Sequence, residues 1–529
     1  MKTSRSHFTP TPEQAEGVAI STKLGPGELL LYNAYAGSGK TSTLELISDA
    51  VSRDWRVLYI CYNADMAREA AGRLPKNVTS KTAHSLAYGA MIPKNPTWKT
   101  RLGNLRARDL QTLLRISSSD EAQAVVDVFN YFLCLPLDSG SVASPVDAFT
   151  SQLVIDAGWG MLAPLEKASV IRGCIALYRS IFEGVGPAVA VPHDAYLWAY
   201  IYSAPVVPFD LVLVDESQDL NPLLLRFVEL QLAAGKRVVM VGDRHQAIYA
   251  FRRATNALEK MADRANYSLT LTQSFRFPQL VANQASRLLN DFKGDPVKLI
   301  GRGKGTKSPS EATTTCFIAR TNAALVDKAA SLLNQRRTRF HFAATREQDG
   351  FKPTGPYKFS EIRDVYSLWT GRSGNVRTPW LRQFASYGAL LDYANPPESE
   401  NGKGGDAELK SMTALIDRYS TAVPHILSEI EAACTGPDEA TIALSSAHRS
   451  KGKEWDFTQL SDDFLPLDNS EKLAKFRSSV TPAEFSESVN LLYVAATRCR
   501  LRSTLPSNCQ NYFNPPAGNV PSSLASGRR

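Results

Sequence analysis

The run Leu29-Leu-Leu-Tyr32 passes into Asn-Ala-Tyr-Ala-Gly-Ser-Gly39 and ends in Lys40-Thr41, and no other stretch restricts the fold as strongly. Apolar residues give a short buried strand, small residues give a loop, and a helix-forming segment starts at Lys40. Glycines let backbone N–H groups turn inward around phosphate oxygens, and the following helix presents its positive dipole end to them. The string therefore reads as a cradle for nucleotide phosphates, lined by Ala36, Gly37, Ser38, Gly39, Lys40 and Thr41. Lys40 is placed for the β- and γ-phosphates of ATP and Thr41 for Mg²⁺. Ala34 stands where the usual G-x-x-x-x-G-K-[ST] pattern has its first glycine.

A second string, Phe209-Asp-Leu-Val-Leu-Val-Asp-Glu-Ser-Gln-Asp219, is an apolar strand that delivers two adjacent carboxylates at its C-terminal end. Ligands sit at that end of the strands in an open α/β sheet. Asp215 is expected to hold Mg²⁺, directly or through water, and Glu216 to polarise the water that attacks the γ-phosphate.

Further apolar runs at Val57 to Cys61 and Val238 to Val241 join Leu29 to Tyr32 and Leu211 to Val214 as strands of one parallel sheet. Thr315 to Ala319, Thr441 to Ser445 and Leu491 to Ala495 suggest a second sheet, so two α/β lobes are expected. Helical periodicity fills Ser85 to Pro205, and a second insertion spans Phe359 to Ala440, with a loop-like centre from Pro396 to Asp406. The tail after Arg502, rich in Pro, Asn and Ser, is expected to be disordered.

At roughly 100 to 200 residues per domain, 529 residues allow several domains. The 60 Lys+Arg against 52 Asp+Glu leave a net charge of +8, which suits a polyanionic partner without requiring one. Seven cysteines without a C-x-x-C pair argue against a disulfide framework, a zinc site or an iron–sulfur site. Met1 to Gln14 is polar, and no run approaches the ~18 apolar residues of a membrane span. The expectation is an intracellular chain with no membrane partner, cytoplasmic and nucleoid-associated, or nuclear in a eukaryote.

With these strings in order, the chain resembles superfamily 1 DNA helicases of the UvrD/Rep/PcrA type, in particular the short branch that includes the F-box DNA helicases. Thr11-Pro-Glu-Gln14 resembles the adenine-reading motif, with Gln14 at the adenine edge. Val241-Gly-Asp-Arg-His-Gln-Ala-Ile-Tyr-Ala-Phe251 resembles the motif in which Gln246 senses the γ-phosphate and Tyr249 and Phe251 offer faces to unpaired bases. In Gln273-Ser-Phe-Arg276 the resemblance implies that Phe275 stacks on adenine and Arg276 reaches the γ-phosphate. In Leu491-Leu-Tyr-Val-Ala-Ala-Thr-Arg498 it implies an arginine finger at Arg498. In Leu444 to Asp456 it implies that Glu454 touches the ribose and His448 the nucleic-acid backbone. Cys61-Tyr-Asn63, Thr82-Ala-His-Ser85 and Ala319-Arg-Thr-Asn322 would add Tyr62, Asn63, His84, Arg320 and Asn322 to the strand-binding groove.

The resemblance implies two RecA-like P-loop lobes: residues 1–85 with 206–275, and 276–358 with 441–505. Residues 86–205 and 359–440 are their helical insertions, the second much reduced relative to the family, and 506–529 a disordered tail. The function implied is an ATP- and Mg²⁺-dependent translocase on single-stranded or tailed duplex DNA that separates strands with 3′ to 5′ polarity, in repair, recombination or defence. Two alternatives stay open: a DNA-stimulated ATPase that remodels protein–DNA complexes without unwinding, and an ATP-gated nucleic-acid-binding subunit of a larger assembly. RNA is not excluded by the groove residues. No fused nuclease is visible after Arg500, so nuclease activity would come from an accessory protein.

Overall fold

The computed structural model describes residues 9–61, 63–116, 118–137, 144–160, 162–248, 256–305, 313–333, 335, 339–343, 357, 359–394 and 407–514. Its contacts divide into two units, one of residues 1–34 and 39–271, the other of 35–38 and 272–529.

The first unit is built on a parallel sheet of β1 (Leu29–Ala34), β2 (Val57–Cys61), β3 (Val78–Thr82), β4 (Leu211–Val214), β5 (Arg237–Gly242) and β6 (Tyr267–Leu271), in the order β3-β2-β4-β5-β1-β6. Side chains alternate between its faces. Leu29, Leu31, Leu58, Ile60, Val212, Val214, Val238 and Met240 face a layer that continues into the helical insertion. Leu30, Tyr32, Val57, Tyr59, Leu211, Leu213, Val239 and Val241 face the layer containing Leu44 and Ile47 of α2 (Lys40–Ala50). Burial on both faces is why these strands read as unbroken apolar runs. On the second layer α1 (Pro12–Ser21) starts in a capping box between Thr11 and Gln14, and α3 (Ala64–Arg73) is capped by Asn63.

The insertion between β3 and β4 runs from α4 (Ala83–Met91) to the helix His193–Tyr202. Its centre is aromatic: Phe132 lies 4.5 Å from Phe149 and 5.0 Å from Trp198, ring centre to ring centre.

The second unit has a parallel sheet of β9 (Thr315–Ala319), β10 (Phe340–Phe342), β11 (Ile442–Ser446), β12 (Trp455–Leu460) and β13 (Cys499–Thr504), in the order β10-β11-β9-β12-β13, and a small pair of β7 (Gln273–Ser274) and β8 (Ile300–Gly301). Helices Phe359–Trp369, Tyr387–Ala394, Ala407–Tyr419 and Val423–Ala433 lie between β10 and β11 and share a core with the sheet. Trp369, Trp380 and Tyr387 pack against that core, whereas Tyr393 is exposed.

Two sequence expectations need correction. Leu491 to Ala495 is not a strand but the end of the helix Pro482–Ala496, whose last two turns are buried all round. A helix buried on every side loses its polar stripe, so its apolar run imitates a strand. The chain also stays ordered past Arg502: β13 ends at Thr504, and Ser507–Cys509 and Gln510–Phe513 form short helices that bury Cys509 and Phe513. Asp468 accepts the Asn511 and Tyr512 N–H groups, which ties this segment down. Residues 515–529 of the expected tail lie outside the described residues.

Candidate nucleotide site and nucleic-acid contacts

In the first unit the strand order β2-β4-β5-β1 brings the chemistry to one edge of the sheet. Lys40 and Thr41 open α2 behind Gly39, whose φ of +83° is in the left-handed region. Gly39 has no side chain to cap the helix, so its first N–H groups stay available to an anion. Asp215 and Glu216 follow β4. Lys40 Nζ lies 3.6 Å from Glu216 Oε2, and Thr41 Oγ1 lies 3.4 Å from Asp215 Oδ2.

Asp215 is almost fully buried, and burial, followed by the charge of Glu216, pushes its carboxyl up to about 6. The hydroxyl of Tyr59 donates to its Oδ2 at 2.7 Å and the N–H of Glu216 to its Oδ1 at 2.8 Å. Glu216 has φ +49°, a left-handed conformation for a side chain that rarely adopts it. Such strain costs on the order of 1–3 kcal/mol and persists where the surroundings over-determine it. Gln218 donates to Glu216 Oε2 at 2.6 Å, and its Oε1 accepts the N–H of Asp243 at 3.0 Å. Gln246, in the turn after β5, donates from Nε2 to Asp243 Oδ2 at 2.8 Å. On α1, Gln14 accepts the Thr11 N–H and donates to Thr43 Oγ1 at 3.0 Å.

The loop residues 35–38 belong to the second unit. Ala36 donates its N–H to Tyr493 Oη at 3.0 Å, and Phe275 N–H donates to Gly37 O at 2.9 Å. Gly37 has φ +73°, and a Cβ there would collide with Ser274 Oγ and Arg276 Cβ. Ser38 Oγ is buried without a hydrogen-bond partner. In the same unit Glu454 accepts from Arg276 Nε at 2.6 Å and from Arg500 Nε at 3.2 Å, while Arg276 also donates to Thr497 O at 3.2 Å. Burial pushes the Glu454 carboxyl up, but the charge and hydrogen bond of Arg276, with Arg500 and Arg498, outweigh it and hold the carboxyl below its usual range. Arg498 is buried and donates to Val494 O at 2.9 Å and Thr497 Oγ1 at 3.3 Å. Phe275 is half exposed.

The loop fits a polyphosphate: an orphaned hydroxyl at Ser38, glycines at positive φ on either side of it, and an uncapped helix start. Thr41 and Asp215 offer the hard oxygen ligands that Mg²⁺ prefers. Among the described residues no three His, Cys, Asp or Glu side chains gather as a metal cage.

The expected groove residues are less uniform. Asn63 spends its side-chain oxygen on capping α3. His84 pairs with Asp194 at 2.9 Å and stands edge-on to Tyr196. Arg320 donates to Ser488 Oγ at 3.3 Å and lies 5.4 Å over the Phe476 ring. Asn322 opens the helix Asn322–Leu333, with its N–H bound by Glu408, and His448 sits in the turn Ala447–Ser450. Tyr62, Tyr249 and Phe251 lie outside the described residues. Sequence reading missed Tyr59, Gln218 and Asp243. A tyrosine in a buried strand needs a partner for its hydroxyl, and that rule alone flags Tyr59.

Fold and site together define a P-loop nucleotide-binding protein with two RecA-like α/β units. The UvrD/REP helicase N-terminal domain model matches residues 204–265. The chain is 26% identical over 509 residues to F-box DNA helicase 1 of Gallus gallus, covering 91% of this chain and 47% of that protein. It is 28% identical over 518 residues to F-box DNA helicase protein 1 of Schizosaccharomyces pombe, covering 92% and 56%. It is also 25% identical over 306 residues to the ATP-dependent DNA helicase PcrA of Leuconostoc citreum, covering 53% and 38%. The matching domain model and these relatives are all helicases, and it is helicases that this chain resembles. It spans about half the length of the F-box relatives it matches.

Proposed function

We propose that this chain is an ATP- and Mg²⁺-dependent translocase on single-stranded DNA that separates duplexes, with 3′ to 5′ polarity, in repair, recombination or defence. The observation that carries the reading is the convergence of Lys40, Thr41, Asp215 and Glu216 at the ends of β1 and β4. Lys40 would bind the β- and γ-phosphates, and Glu216 would take a proton from the attacking water. Thr41 and Asp215 would hold Mg²⁺, which when bound neutralises phosphate charge. Arg276 and Arg498 would meet charge on the transferred phosphoryl group. DNA as substrate and the polarity rest on the likeness to named DNA helicases.

Strand separation on matched 3′-tailed and 5′-tailed duplexes tests this, beside ATP hydrolysis with and without single-stranded DNA, using Lys40→Ala and Glu216→Gln as controls. Unwinding of the 3′-tailed duplex only, lost in both variants, is expected. DNA-stimulated hydrolysis without separation would favour a remodeller of protein–DNA complexes. No stimulation would favour a partner-dependent binding subunit.

A further inference from the structure

We infer that Gln218 is the positioning residue that ties the hydrolytic carboxylate of Glu216 to the β5 turn bearing Gln246, so that a shift at one is transmitted to the other. The inference rests on the ATPase reading above.

Three hydrogen bonds link four neighbouring residues in an unbroken chain: Glu216 Oε2 accepts from Gln218 Nε2 at 2.6 Å, Gln218 Oε1 accepts the Asp243 N–H at 3.0 Å, and Asp243 Oδ2 accepts from Gln246 Nε2 at 2.8 Å. Gln218 has no accessible surface, so water cannot substitute for its bonds. Its amide orientation is forced: the oxygen must face a backbone N–H, which leaves the nitrogen to donate to Glu216 and, at 3.5 Å, to Asp219. Gly242 at the end of β5 leaves the room this requires, because a Cβ there would collide with Gln218 Oε1 and lie 3.0 Å from Gln218 N.

The backbone of Glu216 is held at positive φ, and Lys40 Nζ lies 3.6 Å from its Oε2, a partner that ATP would take over. After that exchange Gln218 would remain to aim the carboxylate. Because β4 and β5 are adjacent strands, the same amide reports any movement of the Asp243–Gln246 turn. Gln218 touches neither nucleotide nor water in this scheme.

The test compares wild type with Gln218→Met, which keeps the volume and removes both bonds, and Gln218→Glu, which keeps the acceptor for Asp243 and turns a donor into a like charge beside Glu216. Steady-state ATP hydrolysis with single-stranded DNA, binding of a fluorescent ATP analogue, and amide exchange at Asp243 are read together. A general base contributes roughly 10²–10⁴ in rate, so kcat should fall about tenfold or more in both variants. KM and analogue affinity should stay within about twofold, and Asp243 exchange should quicken in Gln218→Met only. Paired with Gln246→Ala, Gln218→Met should be less than additive. Unchanged kcat, or equal losses in kcat and analogue binding, would overturn the inference. No hydrolysis by wild type would overturn the function reading itself. If Gln218→Met does not fold, Gln218→Glu still decides through its split of kcat from KM.

Discussion

The hydroxyl of Tyr59 on β2 donates a 2.7 Å hydrogen bond to Asp215 Oδ2 at the end of β4, inside the sheet and out of reach of solvent. The pair is diagonal: Tyr59 is in register with Leu213, two residues before Asp215 on the same face. Burial, then the nearby Asp215 charge, pushes the Tyr59 phenol far up, so it remains a donor at all working pH values. Outer partners of metal-binding side chains typically change metal affinity 10–100-fold when removed. Tyr59→Phe is therefore expected to raise the Mg²⁺ concentration for half-maximal hydrolysis about tenfold, and to weaken Mn²⁺ binding to the nucleotide-loaded chain by a like factor. Superimposable metal titrations for variant and wild type would refute this.

Glu454 gives a pH dependence of definite sign. Its folded carboxyl titrates below the ordinary 4.5, so the ionised form binds its arginines and stabilises the fold above that value. The contribution is lost as pH falls through the folded pKa. Glu454→Gln should lower the melting temperature at pH 7, where Arg276 and Arg500 lose a charged partner, and the gap to wild type should shrink as pH drops below about 4.5. Calorimetry across pH 3.5 to 8 checks it; a gap that is constant with pH would contradict it.

His84, expected at the nucleic-acid backbone, is held by Asp194 from the helix His193–Tyr202. Both groups are close to half exposed, so the pair adds little stability. Asp194→Asn should remove a negative charge from this surface and strengthen binding of a single-stranded oligonucleotide several-fold at low salt, a gain that fades as salt rises. Adding His84→Ala should erase it. Fluorescence anisotropy decides, and an affinity unaffected by either change would exclude His84 from the binding surface.

Gly17 lies directly over Tyr32, and a Cβ there would run into the phenol ring, whose hydroxyl donates to Glu13 O at 3.3 Å. Gly17→Ala should destabilise the first unit by about 1–3 kcal/mol, the usual range for overpacking a tight contact. Chemical denaturation would show it as a lower midpoint with an unchanged slope.

The strands β1, β2, β4 and β5 were legible because both their faces are buried, which leaves no polar alternation to confuse the reading. The edge strands β3 and β6 escaped for the opposite reason: Val78-Thr-Ser-Lys-Thr82 is only partly buried, Tyr267-Ser-Leu-Thr-Leu271 is largely exposed, and neither carries an apolar run. Lys40, Thr41, Asp215 and Glu216 were visible because phosphate chemistry demands their types at fixed spacing. Tyr59 and Gln218 act through partners on adjacent strands, and strand order is not written in local pattern. The engagement of Glu454 by Arg276 and Arg500 is likewise a long-range fact, formed between segments nearly 180 residues apart in one case.

The helical insertion shares one continuous core with a face of the first sheet: Val125, Phe129 and Trp198 belong to the same buried cluster as Leu31, Val212 and Val238. It cannot therefore be treated as a detachable accessory. Excising it would remove its share of that core and open to water apolar side chains that the helices Pro222–Ala233 and Ala257–Met261, which pack on the same layer, cover only in part. In engineering terms, surface loops are the places to shorten this protein, and the helices of the insertion are part of its minimum.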